Sequence, residues 1–324
     1  MNIKLDIPES FFQGEERCGY YVSPEMKKVW GVQLDLLAEF ARVCEKHNLK
    51  WWADSGTLLG AVRHKGYIPW DDDVDVVMMR RDYEKLCEIA DKEFKHPYHL
   101  KGPHNNPESM VGFSKLQNED TTMIDGDNVI LMIQRGKKFS HSQGIWIDIF
   151  PLDDMPDDDN ELSQVFIKAK RYKEIARLLF TTAYFYTPAP TKWKRPFKAA
   201  LHFLSRATNI GEQYKKFYAK YLDTMKFPNC ENSKRVSNDF AITERPDTLD
   251  NFMEYRLLQR SYYDETIYIP FEMLSMPVPA GYEAILTQSY GEWQKLVIRP
   301  PHSKFYDADR SYKYYLEHGL PDNL

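Results

Sequence analysis

Four carboxylates fall within five positions at Asp71-Asp72-Asp73-Val74-Asp75, directly ahead of the apolar run Val76-Val77-Met78. Charges of one sign packed this densely repel one another unless something positive sits among them. The run opens a strand, so some of these groups cannot move far into water. Alternation along a strand puts Asp73 and Asp75 on the same side. Two same-side carboxylates present hard oxygen ligands of the kind Mg²⁺ prefers, with Mn²⁺ as a chemical alternative. The plainer alternative is a solvated acidic turn before a strand. Alternation with valine and the flanking Trp70 favour a partly buried edge instead. A further carboxylate, Asp148, lies inside Trp146-Ile147-Asp148-Ile149-Phe150. A charge in a buried strand is costly unless it is paired or bound to metal. Alternation also permits an edge strand with Asp148 turned to water. Taken together, Asp73, Asp75 and Asp148 form a triad able to hold one or two divalent ions.

Upstream, Asp54-Ser55-Gly56-Thr57 lies between a short strand and a short helix. Such a turn offers backbone N–H groups and hydroxyls to a phosphate, which makes Ser55, Gly56 and Thr57 candidate phosphate-binding residues. Arg63, His64 and Lys65 follow. Arg63 suits two-pronged phosphate contact, and all three also suit an exposed basic helix end. Lys115 is a weaker phosphate candidate. Trp51, Trp52 or Trp70 is a candidate aromatic face for a cation.

The spacing predicts a helix over 24–47 capped by Ser23, a strand over 50–53, a helix over 57–64, a strand over 74–79 and a helix over 80–94. A strand over 144–150 should end at Pro151. The acids from Asp153 to Glu161 read as a solvated loop, followed by a helix to about 180. Helical signal covers 191–225, a β-like run covers 265–269 and a helix covers 282–290. The stretch from 300 reads as a Tyr-rich polar tail. The net charge of −5 argues against a general nucleic-acid binder. Cys18, Cys44, Cys87 and Cys230 form no CxxC pair, and they read as reduced, mostly buried thiols of a cytosolic protein. The N-terminus carries no signal-peptide pattern, and no run approaches the roughly 20 apolar residues a spanning helix needs. Strands and helices alternate to about residue 150 and helices dominate thereafter, which points to an α/β or α+β core with a helical second half.

The segment Gly56-Thr57-Leu58-Leu59-Gly60-Ala61-Val62-Arg63-His64-Lys65-Gly66-Tyr67-Ile68-Pro69-Trp70-Asp71-Asp72-Asp73-Val74-Asp75-Val76 resembles the signature of the LicD family, which includes bacterial phosphocholine transferases and is related to the fukutin group. Ile147 to Asp153 and Val278 to Gly291 fit the same family. The resemblance runs over about 24–155 and returns near 275–302. It implies an α+β fold: a nucleotidyltransferase mixed-sheet core of the DNA polymerase β type with helical additions. Residues 1–23 would then be an N-terminal extension, 24–155 the catalytic core, and 156–324 a mostly helical acceptor or membrane-proximal region whose 275–302 segment returns to the core. Carried over, Ser55 and Gly56 match the Gly/Ser turn, Asp73 and Asp75 the DxD pair, and Asp148 the third acid. Here the turn reads Ser-Gly instead of the superfamily's usual Gly-Ser, and the gap to the DxD is longer. The implied reaction is Mg²⁺-dependent transfer of phosphocholine, or a similar phospho-substituent, from a CDP-activated donor such as CDP-choline to a sugar hydroxyl of a cell-surface or lipid-linked glycan, lipopolysaccharide or teichoic acid among them. Asp73 and Asp75 would be the shared ligands, Asp148 a ligand or base, and Asp71 a secondary candidate. Two alternatives remain: transfer of NMP from an NTP to a small acceptor, and a non-catalytic binding protein on the same fold.

Residues 191–207 stand apart. Trp193, Phe197, Ala200, Leu201 and Leu204 share one helical face, while Lys192, Lys194, Arg195, Lys198 and Arg206 supply only positive charge. This is the pattern of an interfacial helix on anionic lipid at the inner face of a membrane, and equally of a core-packing helix with a solvated basic side.

Overall fold

The computed structural model describes residues 1–106, 111–125, 143–184, 193, 195–208, 210–226, 233–238, 248–299 and 304–320. In chain order the elements are β1 (Glu15–Arg17), β2 (Tyr20–Val22), α1 (Pro24–His47), β3 (Trp52–Ala53), α2 (Ser55–His64), β4 (Asp75–Met79), α3 (Arg80–Glu93), β5 (Tyr98–Lys101), β6 (Ser114–Asn118), β7 (Thr122–Asp125) and β8 (Ile145–Met155). There follow α4 (Asp159–Tyr184), α5 (Arg195–Ala207), α6 (Tyr214–Met225), β9 (Arg235–Ser237) and α7 (Leu249–Tyr255). The last elements are β10 (Leu258–Gln259), β11 (Thr266–Phe271), β12 (Leu274–Pro279), α8 (Tyr282–Tyr290), β13 (Lys304–Asp307) and α9 (Tyr312–His318). The chain divides into two compact units. The first holds Met1–Asn106, Phe113–Leu152 and Leu258–Leu324; the second holds Pro107–Gly112 and Asp153–Leu257.

Helix α1 is the spine of the first unit. The Ser23 hydroxyl accepts from Met26 N–H at 3.2 Å, Pro24 occupies the first turn, and Asn48 closes the helix in the left-handed conformation. These are the start and stop signals of a sequence-encoded helix. Trp30, Val32, Leu34, Leu36 and Phe40 are fully buried, and so are Gln33 and Asp35. The two polar side chains tie neighbouring backbone together. Asp35 accepts from Lys4 N–H, Leu5 N–H and the Tyr98 hydroxyl. Gln33 donates to the carbonyls of Asp72 and Trp146, and the Trp30 indole donates to the carbonyl of Asp71. α1 therefore grips the backbone of the acid run and of β8 together.

The sheet of this unit runs β3-β4-β8-β6-β5. β4 and β8 are parallel, and the other neighbours are antiparallel. β13 pairs antiparallel with β7, and β11 with β12. The architecture is a mixed-sheet α+β one. In the second unit α4, α6 and α7 enclose a core of Leu162, Ala169, Ala176, Tyr214, Tyr218, Tyr221, Met225 and Phe252.

Three expectations need correction. β8 does not end at Pro151 but continues to Met155, with Pro151 opposite Met78 in the parallel ladder. Asp148 N–H bonds the Val74 carbonyl of β4's lead-in, so by alternation the nitrogen of Pro151 faces the other edge, past Ile149, the last residue paired with β6. No ladder donor is lost, which is the condition under which proline is tolerated in a strand. The acids after it are not all solvated: Asp153 is buried within the strand, and the helix starts only at Asp159. The tail is structured, since Lys304–Asp307 is a strand and Tyr312–His318 a helix. Of the cysteines, Cys44 is buried, Cys87 half-buried and Cys18 exposed. Cys230 lies outside the described residues.

Candidate active site

The parallel register of β4 and β8 sets Asp75 directly against Asp148. Asp73, in the lead-in to β4, lies near enough for its charge to act on both, and β6 sets Lys115 opposite Asp148, with Nζ to Oδ1 at 3.3 Å. The turn before α2 is stitched to the same point. Asp54 N–H donates to the Asp75 carbonyl at 3.0 Å, and Asp75 N–H donates to the Thr57 hydroxyl at 2.8 Å. Ser55 donates to the Asp54 carboxylate and holds a left-handed φ of 47°, unusual for a residue with a side chain. The start of α2 and the start of β4 are thus one rigid corner, with the first-turn N–H groups of α2 lacking intrahelical acceptors.

Asp71, Asp72 and Asp73 each offer an oxygen within 4.8 Å of the others. They are not equivalent. Asp72 is fully buried, and its two oxygens are taken by Lys304 at 3.1 Å and by the Tyr306 hydroxyl, both from β13. Lys304 also stands 3.5 Å from Asp73. Asp75 is held well above the ordinary carboxylate range, first by burial and then by the charges of Asp73, Asp148, Asp54 and Asp71. Asp148 is raised too, chiefly by burial, against the opposing pull of Lys115. Its Oδ1 is buried and takes no well-aligned hydrogen bond, the ion pair with Lys115 being its nearest compensation. A buried, under-satisfied carboxylate among other carboxylates fits a divalent cation chemically.

Residues 48–181 match the LicD/FKTN/FKRP nucleotidyltransferase domain. The chain is 27% identical over 271 residues to the lipopolysaccharide cholinephosphotransferase LicD of Haemophilus influenzae, covering 82% of this chain and 89% of that protein. Over these residues the chain is similar to the LicD family. Shorter matches join it to uncharacterized proteins of Rickettsia prowazekii, 48% identical over 17% of this chain and 20% of that one, and of Rickettsia typhi, 41% identical over 22% of each.

Within this corner the structure brings together Ser55, Gly56, Thr57, Asp73, Asp75, Asp148 and Lys115. It does not bring Arg63. That residue lies at the far end of α2, where its guanidinium donates to the carbonyls of Trp293 and Lys295 and to the His64 ring. The three tryptophans form no shared cage: Trp51 packs on Phe40, Trp52 on Tyr263, and Trp70 on Tyr20 and His64. One aromatic residue close to the carboxylates is Trp146, whose ring carries Lys115 Nζ at 3.8 Å and Lys304 Nζ at 5.9 Å. Lys304, Tyr306 and Gln33 have no place among the residues that motif reasoning selects. Only the alternation in Lys304-Phe305-Tyr306 hints at a strand, and nothing local says what it pairs with.

Gly56 is required for a local reason. A Cβ there would stand 2.7 Å from Asp71 Oδ2. Alanine at a helix start gains up to about 1 kcal/mol of helix propensity, and the Asp71 carboxylate can swing aside. Gly56→Ala should therefore melt no lower than the wild type while turnover falls by about tenfold or more, as thermal melts and initial rates will show.

His64 supplies a pH prediction. Burial, then the charges of Arg63 and Arg17, push its pKa down to about 4. A histidine whose folded pKa lies below its unfolded value binds its proton more readily when unfolded, so stability falls as pH drops from about 6.5 towards 4. The site is partly wet, so the loss should be on the order of 1 kcal/mol. His64→Asn should flatten that part of a pH series of urea melts.

Proposed function

We propose that this chain is a LicD-type enzyme that transfers phosphocholine, or a similar substituted phosphate, from a CDP-activated donor to a sugar hydroxyl of a lipopolysaccharide or related surface glycan. We propose with it a nucleotidyltransferase core of the DNA polymerase β type for residues 24–155. The observation that supports the reading is the Asp75–Asp148 register, with the charge of Asp73 acting on both and the start of α2 stitched to Asp75. The curated cholinephosphotransferase that matches across most of both chains supports the substrate class.

Asp73, Asp75 and Asp148 would hold Mg²⁺ or Mn²⁺, one ion or two. When bound, such an ion neutralises phosphate charge and favours in-line displacement. The chain's own residues have separate tasks. The Ser55–Thr57 turn places N–H groups and hydroxyls where a donor phosphate can rest. Burial and like charge raise the proton affinity of Asp148 and Asp75, so either carboxylate can take the proton of the attacking sugar hydroxyl. Lys115 offsets charge beside Asp148, and Lys304 offsets it beside Asp72 and Asp73.

A donor panel tests this. CDP-choline, CDP-ethanolamine, CDP-glycerol and the four NTPs would be incubated with the protein, Mg²⁺ and a lipopolysaccharide acceptor, with CMP and pyrophosphate measured separately. CMP released from a CDP-alcohol, with the alcohol phosphate on the glycan, is the expected result. Pyrophosphate released from an NTP would replace this reading with NMP transfer. Release of neither from any donor would leave a binding protein.

A further inference from the structure

We infer that α5, together with Trp193 just before it, docks the chain on an anionic lipid surface. Trp193 and Phe197 are each 74% exposed, Phe203 71%, Leu204 52% and Leu201 38%. A helix that serves a protein core turns such a stripe inward. Here Phe197, Leu201 and Leu204 recur at four- and three-residue steps and stay in solvent. The helix is held from its other side, where the His202 ring pairs with the Thr182 carbonyl of α4. At about 100° per residue, His202 lies well round the helix from the Phe197–Leu204 stripe. Phe203, off the stripe, widens the apolar face. Exposed apolar surface of this density marks a docking site.

Charge selects the occupant. α5 reads Arg-Pro-Phe-Lys-Ala-Ala-Leu-His-Phe-Leu-Ser-Arg-Ala, so Arg195, Lys198 and Arg206 are its full charges and it contains no acid. The chain as a whole is at −5, so a basic element on an acidic protein is a local departure. An apolar groove on a protein partner would tolerate flanking charges of either sign. An anionic headgroup layer requires positive ones beside an apolar face, with aromatic residues at the boundary. The 13 residues of α5 span about 20 Å, too short for a hydrocarbon core of roughly 30 Å. No helix among the described residues is long and apolar enough to cross a membrane, so α5 lies in the interface plane.

The full chain would be sedimented with vesicles of phosphatidylcholine alone and of phosphatidylcholine with phosphatidylglycerol, at low and high salt. The expected result is binding to the anionic vesicles at least about tenfold stronger than to neutral ones, weakened by salt. Phe197→Glu/Leu201→Glu should abolish that binding with no change in thermal melting, since both side chains are exposed. Arg195→Glu/Lys198→Glu, which leaves the apolar stripe intact, should weaken it by about tenfold or more. Wild-type chain remaining in the supernatant with anionic vesicles overturns the proposal. So does a Phe197→Glu/Leu201→Glu variant that binds like the wild type, or one whose only change is loss of a dimer in light scattering, which would assign the face to a second copy of the chain.

Discussion

Asp75→Asn is expected to lower turnover by on the order of a thousandfold while raising thermal stability in metal-free buffer. The two effects have one cause. Burial and four neighbouring carboxylates hold Asp75 well above the ordinary carboxylate range. An acid whose folded pKa is raised favours folding only while protonated, and that contribution is lost as pH rises from the unfolded value through the folded one. At neutral pH the raised proton affinity of Asp75 therefore costs stability. Asparagine has the same shape without the titrating group, and should raise the melting temperature. The substitution also removes the central acid of the proposed cation site. Wild-type melting should accordingly rise on adding Mg²⁺ and fall back with EDTA, while the variant's melting should be indifferent to both. Asp148→Asn should show the same loss of turnover with a smaller gain in stability, because Lys115 then loses its ion-pair partner. The measurements are melting curves with and without Mg²⁺, and CMP release from CDP-choline. If Asp75→Asn kept turnover within threefold of wild type, the carboxylate-centred mechanism would be lost, whatever its stability did.

What the residues disclose in advance divides by distance along the chain. The limits of α1 are legible because Ser23, Pro24 and Asn48 each act within one turn of the helix. The strand nature of Asp75–Met79 is legible because its short apolar run with two valines is local. The facing of Asp75 and Asp148 is harder, since composition says only that two acidic strands exist; the parallel register is a property of the sheet. Arg63 shows the limit of motif proximity. It lies between the turn and the acids in sequence, yet α2 carries it a helix length away to the Trp293 and Lys295 carbonyls. Pro151 shows the limit of residue rules, because what matters is which edge its nitrogen faces. The tail is the largest omission. Lys304 and Tyr306 act on Asp72 from 232 and 234 positions away, a relation that no local pattern encodes.

That remote contact carries the largest stability effect expected for a single substitution here. The Asp72 side chain is 1% exposed and that of Lys304 6%, so neither charge can turn to water. Lys304→Met would leave Asp72 ionised and buried, with the Tyr306 hydroxyl as a remaining donor. Breaking a buried ion pair from one side costs about 3–5 kcal/mol, because the surviving charge keeps its desolvation penalty without its compensation. At roughly 2–4 °C per kcal/mol for a chain of this size, melting should fall by about 10 °C. Asp72→Asn alone should cost less, because Lys304 retains Asp73 at 3.5 Å. The double variant Lys304→Met/Asp72→Asn should recover much of the loss, since a neutral amide and an apolar side chain leave no buried charge unpaired. Tyr306→Phe, which removes one donor from the same carboxylate, should cost about 1–3 kcal/mol. Turnover separates two roles for Lys304. If it only neutralises Asp72, the double variant regains activity along with stability. If its charge also serves donor phosphates through its position beside Asp73, stability returns and turnover stays low. A Lys304→Met variant melting within about 2 °C of wild type would show instead that Asp72 is protonated in the folded chain, and that the acid run carries one charge fewer than its sequence implies.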